Sequence, residues 1–131
     1  MDNQTSSPKK ILVMDDDTSM CMVTGELLRS MGYAAVCVSN GDHAIASFGE
    51  ALKAGEPFAA VILDLKVPDG LGGKETLREL RKKDPSLIAI AISGNTEALP
   101  MAHPQVYGFK AVLFKPFTRD ELDKTLKALY V

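Results

Sequence analysis

Cysteine is scarce in this chain: Cys21 and Cys37 are the only two among 131 residues. Neither falls in a metal-ligand spacing and nothing marks the chain as secreted, so both are expected to be small, reduced residues in or near the core. No apolar run approaches the roughly 18 residues that a membrane span needs. Residues 1–8 are polar and lack the apolar centre of a signal peptide, which makes them an expected mobile leader and the protein an expected cytoplasmic one. An excess of either charge is also missing, because 15 Lys and Arg face 17 Asp and Glu for a formal net charge of −2. The basic residues are scattered rather than striped. That removes the electrostatic footprint of a nucleic-acid binder, and no direct nucleic-acid contact is expected.

What remains has the balance of an ordinary globular domain, with 46% hydrophobic and 24% charged residues. The length fits one domain able to bury its core without staples. Lys10 to Met14 is a short apolar run that stops at Asp15, Asp16 and Asp17, and it predicts a buried first strand. Met20, Val23, Leu27, Leu28 and Met31 then recur at helical spacing, with Asp17 or Thr18 as cap and Gly32 as stop. Ala34 to Val38 predicts a second strand, and Ala44, Ile45, Phe48 and Leu52 mark the buried stripe of a second helix over 42–53.

The run from Phe58 to Leu65 predicts a third strand with Asp64 at its exit, closed by a turn rich in Pro, Gly and Asp from Val67 to Gly73. Gly73, Leu77 and Leu80 set the inner face of a third helix, whereas Lys74, Arg78, Arg81, Lys82 and Lys83 read as its solvated face. Leu87 to Ile92 predicts a fourth strand that delivers Ser93, Gly94 and Asn95. Between Thr96 and Tyr107 a fourth helix is interrupted by Pro100 and Pro104. Ala111 to Phe114 predicts the last strand, ending at Lys115-Pro116. Thr118 and Glu121 have capping-box spacing, ahead of a final helix with its stripe on Leu122, Leu126 and Leu129.

Strand and helix thus alternate five times, the pattern of a parallel sheet covered on both faces. Parallel strands point their carboxyl ends the same way, so Asp15, Asp16, Asp17, Asp64, Ser93 and Lys115 converge on one edge. In open α/β sheets that edge is where ligands bind. Three carboxylates within about 5 Å repel by roughly 3 kcal/mol per pair at an effective dielectric near 20. A hard divalent cation, Mg²⁺, is the natural compensation, with Lys115 as a second positive charge and Ser93 as a neutral donor. His43 and His103 are predicted away from the strand ends, which leaves no general base there. These parts suit phosphoryl transfer to Asp64, a nucleophile that needs no deprotonation near pH 7.

The acidic group after the first strand, Asp64-Leu65-x-x-Pro68 with Gly72, Ser93-Gly94 and Lys115-Pro116-Phe117 together resemble the receiver domain of bacterial two-component response regulators. The resemblance spans about residues 9–131. Asp64 to Glu75 and Tyr107-Gly108-Phe109 further resemble receiver modules attached to hybrid sensor histidine kinases. The resemblance implies a flavodoxin-like α/β fold with strand order 2-1-3-4-5 and five helices, one domain over 9–131. It implies Asp64 as the acceptor of a phosphoryl group from a sensor histidine kinase or phosphotransfer domain, with Ser93 and Lys115 holding phosphoryl oxygens. It also implies Asp16 as a direct Mg²⁺ ligand, Asp15 acting through water, the Lys66 backbone carbonyl as a further ligand, and a cis Lys115-Pro116 bond. Such a module regulates an effector protein or a covalently attached output or kinase domain and is not a turnover enzyme. Lys66 and Asn95, each two residues beyond a site residue, are expected to flank the route of attacking water and to tune the lifetime of the phosphoaspartate.

Receivers commonly carry Tyr or Phe three residues before the lysine, where this chain has Val112. Readout is therefore expected through loop and fourth-helix rearrangement. Two other readings stand beside this one. Asp15-x-Asp17-Thr18-Ser19 also resembles the nucleophile loop of haloacid-dehalogenase-type phosphatases, with Asp15 as nucleophile. The fold could otherwise serve as a phosphorylation-independent interaction module.

Overall fold

The computed structural model describes residues 8–66, 72–95 and 98–131. The expected leader up to Ser7, the turn-motif positions Val67, Pro68 and Gly70, and the helix start at Thr96 lie outside the described residues. Five strands, β1 (Lys10–Met14), β2 (Ala34–Val38), β3 (Ala60–Asp64), β4 (Ala89–Ser93) and β5 (Ala111–Phe114), form one parallel sheet in the order 2-1-3-4-5. The helices are α1 (Thr18–Ser30), α2 (Gly41–Lys53), α3 (Gly73–Lys83), α4 (Leu99–Ala102) and α5 (Arg119–Ala128).

Strand alternation divides the core into two layers. Leu12, Met14, Val61 and Leu63 share a layer with Phe48 of α2 and Leu77 and Leu80 of α3, and Phe109 is buried in the same layer as the small Ala89 and Ala91. On the other face Ile11, Val13, Ile62, Ile90 and Ile92 pack against Leu28 of α1 and Leu122 and Leu126 of α5. Both sides of β1, β3 and β4 are therefore dry, which explains why these strands read as unbroken apolar runs.

Helix ends follow the expected chemistry. Asp17 caps α1 by accepting from the Met20 amide, Asn40 caps α2 by accepting from His43, and Thr118 and Glu121 form a full capping box on α5. The buried face of α1 departs from its predicted stripe. Cys21, Thr24, Gly25 and Leu28 are buried, while Val23 is 52% exposed. Small residues allow the helix to approach β2 closely: a Cβ on Gly25 would lie 3.3 Å from the Cys37 sulfur. Hydrophobicity alone weights the larger side chains and so misplaces the phase.

The fourth helix is short, as its prolines imply. Pro100 sits within the single turn of α4, and Pro104–Tyr107 follows as a 3₁₀ turn closed by Gly108 at φ 90°. Arg81 also departs from expectation. It is half-buried rather than solvated, and its guanidinium donates to the carbonyls of Pro85, Leu87 and Gly108, tying α3 to the loops on either side of β4.

The N-terminus of α3 rests directly on the exit of β3. A Cβ on Gly73 would lie 2.7 Å from the Asp64 carbonyl oxygen, so glycine is required by close approach at this point. Gly73→Ala is expected to destabilise the domain by about 1–3 kcal/mol, read as a lower urea midpoint with an unchanged m-value. An unchanged midpoint would mean that α3 can lift from β3 at no cost.

Candidate phosphoacceptor site

The sheet register delivers the site. Met14 pairs with Leu63, which brings Asp15 alongside Asp64 one step further on. Asp64 is paired with Ile92 and Ser93 with Phe114, so Ser93 and Lys115 each emerge one residue beyond the preceding strand's partner. Asp64 and Ser93 are themselves the last residues of their strands, held in the ladder rather than in the following loops.

Asp15 is 1% exposed and Asp64 3% exposed. Lys115 reaches both, with its Nζ 2.7 Å from Asp64 Oδ2 and 2.9 Å from Asp15 Oδ2. Asp64 Oδ1 accepts from the Lys66 amide at 3.0 Å, and Asp15 Oδ1 accepts from the Asp17 amide at 3.0 Å. Asp16 is exposed and completes a trio in which one oxygen from each of Asp15, Asp16 and Asp64 lies within 4.8 Å of the others. Ser93 is buried, and its Oγ accepts from the Asn95 amide at 3.0 Å. Asp16, Asp17, Asp64, Lys66, Ser93, Gly94, Asn95 and Lys115 line an open cleft of about 530 Å³. The predicted site residues are thus brought together. His43 instead shares a separate cavity with Asp15, Thr18, Cys21 and Cys37.

Electrostatics follow from burial. Removal from water pushes the Asp64 carboxyl above its ordinary pKa of 3.8, while the Lys115 ammonium and the Lys66 amide pull the other way. Burial also works against the charge on Lys115. The carboxylates of Asp15 and Asp64 outweigh it and raise the lysine above 10.5. Nearby, burial and contact with Cys37 push the Cys21 thiol up to about 12, which keeps it protonated.

The donor set fits a hard divalent cation. Its ligands are all oxygens, and Asp15 Oδ2 is buried and, apart from its ion pair with Lys115, meets no donor with hydrogen-bond geometry among the described residues. One ammonium against three clustered carboxylates leaves net negative charge for a cation to offset.

A model of the response regulator receiver domain matches residues 11–127. The chain belongs to the response regulator receiver domain family. Receiver domains are phosphoacceptor signalling modules of two-component systems and bind Mg²⁺ through acidic residues. A response regulator receiver protein of Anaeromyxobacter sp. is 33% identical over 89% of the chain, and the sensor protein TorS of Escherichia coli is 29% identical over 89%. The chain spans only 44% and 12% of the lengths of those two relatives. Among solved structures, the receiver domain of a sensor histidine kinase from Pseudomonas aeruginosa, with magnesium coordinated in its active site cleft, superposes with a TM-score of 0.79. The two are 27% identical, and the match covers 92% of this chain and 96% of that one. Membership in the receiver family sets aside the phosphatase resemblance built on Asp15. The Lys115-Pro116 bond is cis, as the family resemblance implies.

Because the lysine's pKa is raised by folding, its contribution to stability is fully present below 10.5 and is lost as pH rises through the raised value. Lys115→Met leaves two buried carboxylates unpaired, and a loss of about 3 kcal/mol is expected at pH 7 without divalent cation. Denaturation at a series of pH values checks this: the gap between the two proteins should close as the lysine of the parent titrates. A gap that is absent at pH 7, or that persists at high pH, would contradict the assignment.

Proposed function

We propose that this chain receives a phosphoryl group on Asp64 from the phosphohistidine of a sensor kinase or phosphotransfer domain. An Asp64 carboxylate oxygen attacks phosphorus, the P–N bond breaks, and the imidazole leaves with the electron pair. Lys115, released from its pairing with Asp64, turns to one phosphoryl oxygen, and the Ser93 hydroxyl donates to another. Asp15, Asp16, Asp64 and the Lys66 carbonyl would hold Mg²⁺. When bound, the ion neutralises the acidic cluster and charge on the transferring group. The observation that best supports this reading is the lysine bridging two buried carboxylates, 2.7 Å and 2.9 Å away, in a cleft that it lines together with Ser93.

The same reading makes the chain a regulatory module, over residues 9–131, that controls an attached or separate effector in the cytoplasm. Among the described residues no helix is long and apolar enough to cross a membrane. Val112 is half-buried against the layer formed with α2 and α3, and Phe114 is exposed. Neither supplies an inward-turning aromatic ring, so the readout is assigned to the loops and the abbreviated fourth helix.

Incubation with acetyl phosphate and Mg²⁺, followed by intact mass measurement, tests the proposal. One phosphoryl group should be added, with none after Asp64→Ala or with chelator. Lys115→Ala should slow labelling by about a hundredfold. Failure of the parent chain to label under these conditions would return the phosphorylation-independent module as the better account.

A further inference from the structure

Helix α3 and the 3₁₀ turn Pro104–Tyr107 enclose a groove of about 560 Å³ on a flank distinct from the phosphoacceptor cleft. Lys74, Arg78, Arg81 and Lys82 line it, and among the described residues no carboxylate does, although the chain as a whole carries a net charge of −2. Two of these cations have partial compensation. Lys82 pairs with Glu79 at 3.0 Å, and Lys74 lies 3.9 Å from Glu75. Among the described residues the Arg81 guanidinium donates to backbone carbonyls alone, which orient it without cancelling its charge. Arg78 is exposed and, among the described residues, its side chain has neither an ion pair nor a hydrogen bond.

The opposite wall carries Gln105 and an apolar contact. Val106 is 79% exposed beside Tyr107, whose ring lies 5.7 Å from the Lys74 ammonium, and Leu77 forms the floor. An isolated exposed valine is ordinary on a protein surface. A valine and an uncompensated arginine lining one groove make a mixed recognition surface, with charge beside an apolar contact.

From this geometry we propose that the α3 groove is a docking site for an acidic protein segment that carries an apolar anchor. The carboxylates of the segment pair with Arg78 and the neighbouring cations, and its anchor covers Val106. Nucleic acid is a poorer fit: four cations give few phosphate contacts, and the exposed Val106 has no counterpart on a phosphate backbone.

Fluorescence anisotropy with a labelled synthetic peptide of alternating glutamate and leucine tests the site, using the whole chain without Mg²⁺ or phosphodonor. Success or failure here is therefore independent of whether Asp64 accepts phosphate. Binding is expected to weaken by about tenfold or more in an Arg78→Glu, Lys82→Glu double variant and to fall with added salt. It is also expected to weaken in Val106→Asp and to hold in Lys124→Glu, a charge reversal on α5. Labelling by acetyl phosphate in each variant verifies its fold where the parent labels, and circular dichroism does so in any case. Absence of peptide binding, equal loss in Lys124→Glu, or tighter binding of a labelled DNA duplex through the same residues would overturn the proposal.

Discussion

Everything at the functional edge of this protein depends on the ion pairing of one lysine with two buried carboxylates. Asp15 directly follows β1 and Asp64 ends β3, and both are almost wholly buried, so their mutual repulsion acts in a medium that screens it poorly. Lys115 offsets part of that cost and in doing so fixes the relative positions of the exits of β1, β3 and β5. The balance is incomplete, because Asp16 adds a third carboxylate within 4.8 Å. A site left with net negative charge and convergent oxygens is prepared for a cation, and together they are prepared for a group whose oxygens are themselves anionic.

The fold serves this constraint by keeping the strands rigid up to their last residues. Asp64 and Ser93 still belong to the hydrogen-bonded ladder, and the amides of Leu65 and Lys115 donate to the carbonyls of Ile92 and Ser93. Two dry layers of branched side chains hold the sheet from either face, and Gly73 lets α3 seat directly on the carbonyl of Asp64. Preorganisation of this kind lowers the reorganisation needed when charge develops on a transferring phosphoryl group.

Much of this was legible in the order of residues. Apolar runs ending in Asp15, Asp64, Ser93 and Lys115 are visible without coordinates, and parallel topology is enough to bring their ends together. The structure added what hydrophobicity does not encode. Val23 had the character of a core residue but lies exposed, because Cys21, Thr24 and Gly25 are small enough to bring the other face of α1 against the sheet. Arg81 had the character of a surface charge but holds three carbonyls in the segments that lead into β4 and β5. Its role depends on where the chain returns at Gly108, a long-range fact absent from local periodicity. The basic groove along α3 is hidden from sequence for the same reason, since Val106 and Arg78 come to line one groove only after the 3₁₀ turn has been placed.

The central claim is that Asp64, rather than either neighbouring aspartate, carries the phosphoryl group. Reductive trapping with borohydride after phosphorylation, followed by peptide mapping, addresses it directly, because only an acyl phosphate is reduced. The account predicts a single reduced residue, at position 64. Reduction at Asp15 or Asp16, or none in a protein that has taken up phosphate, would contradict it.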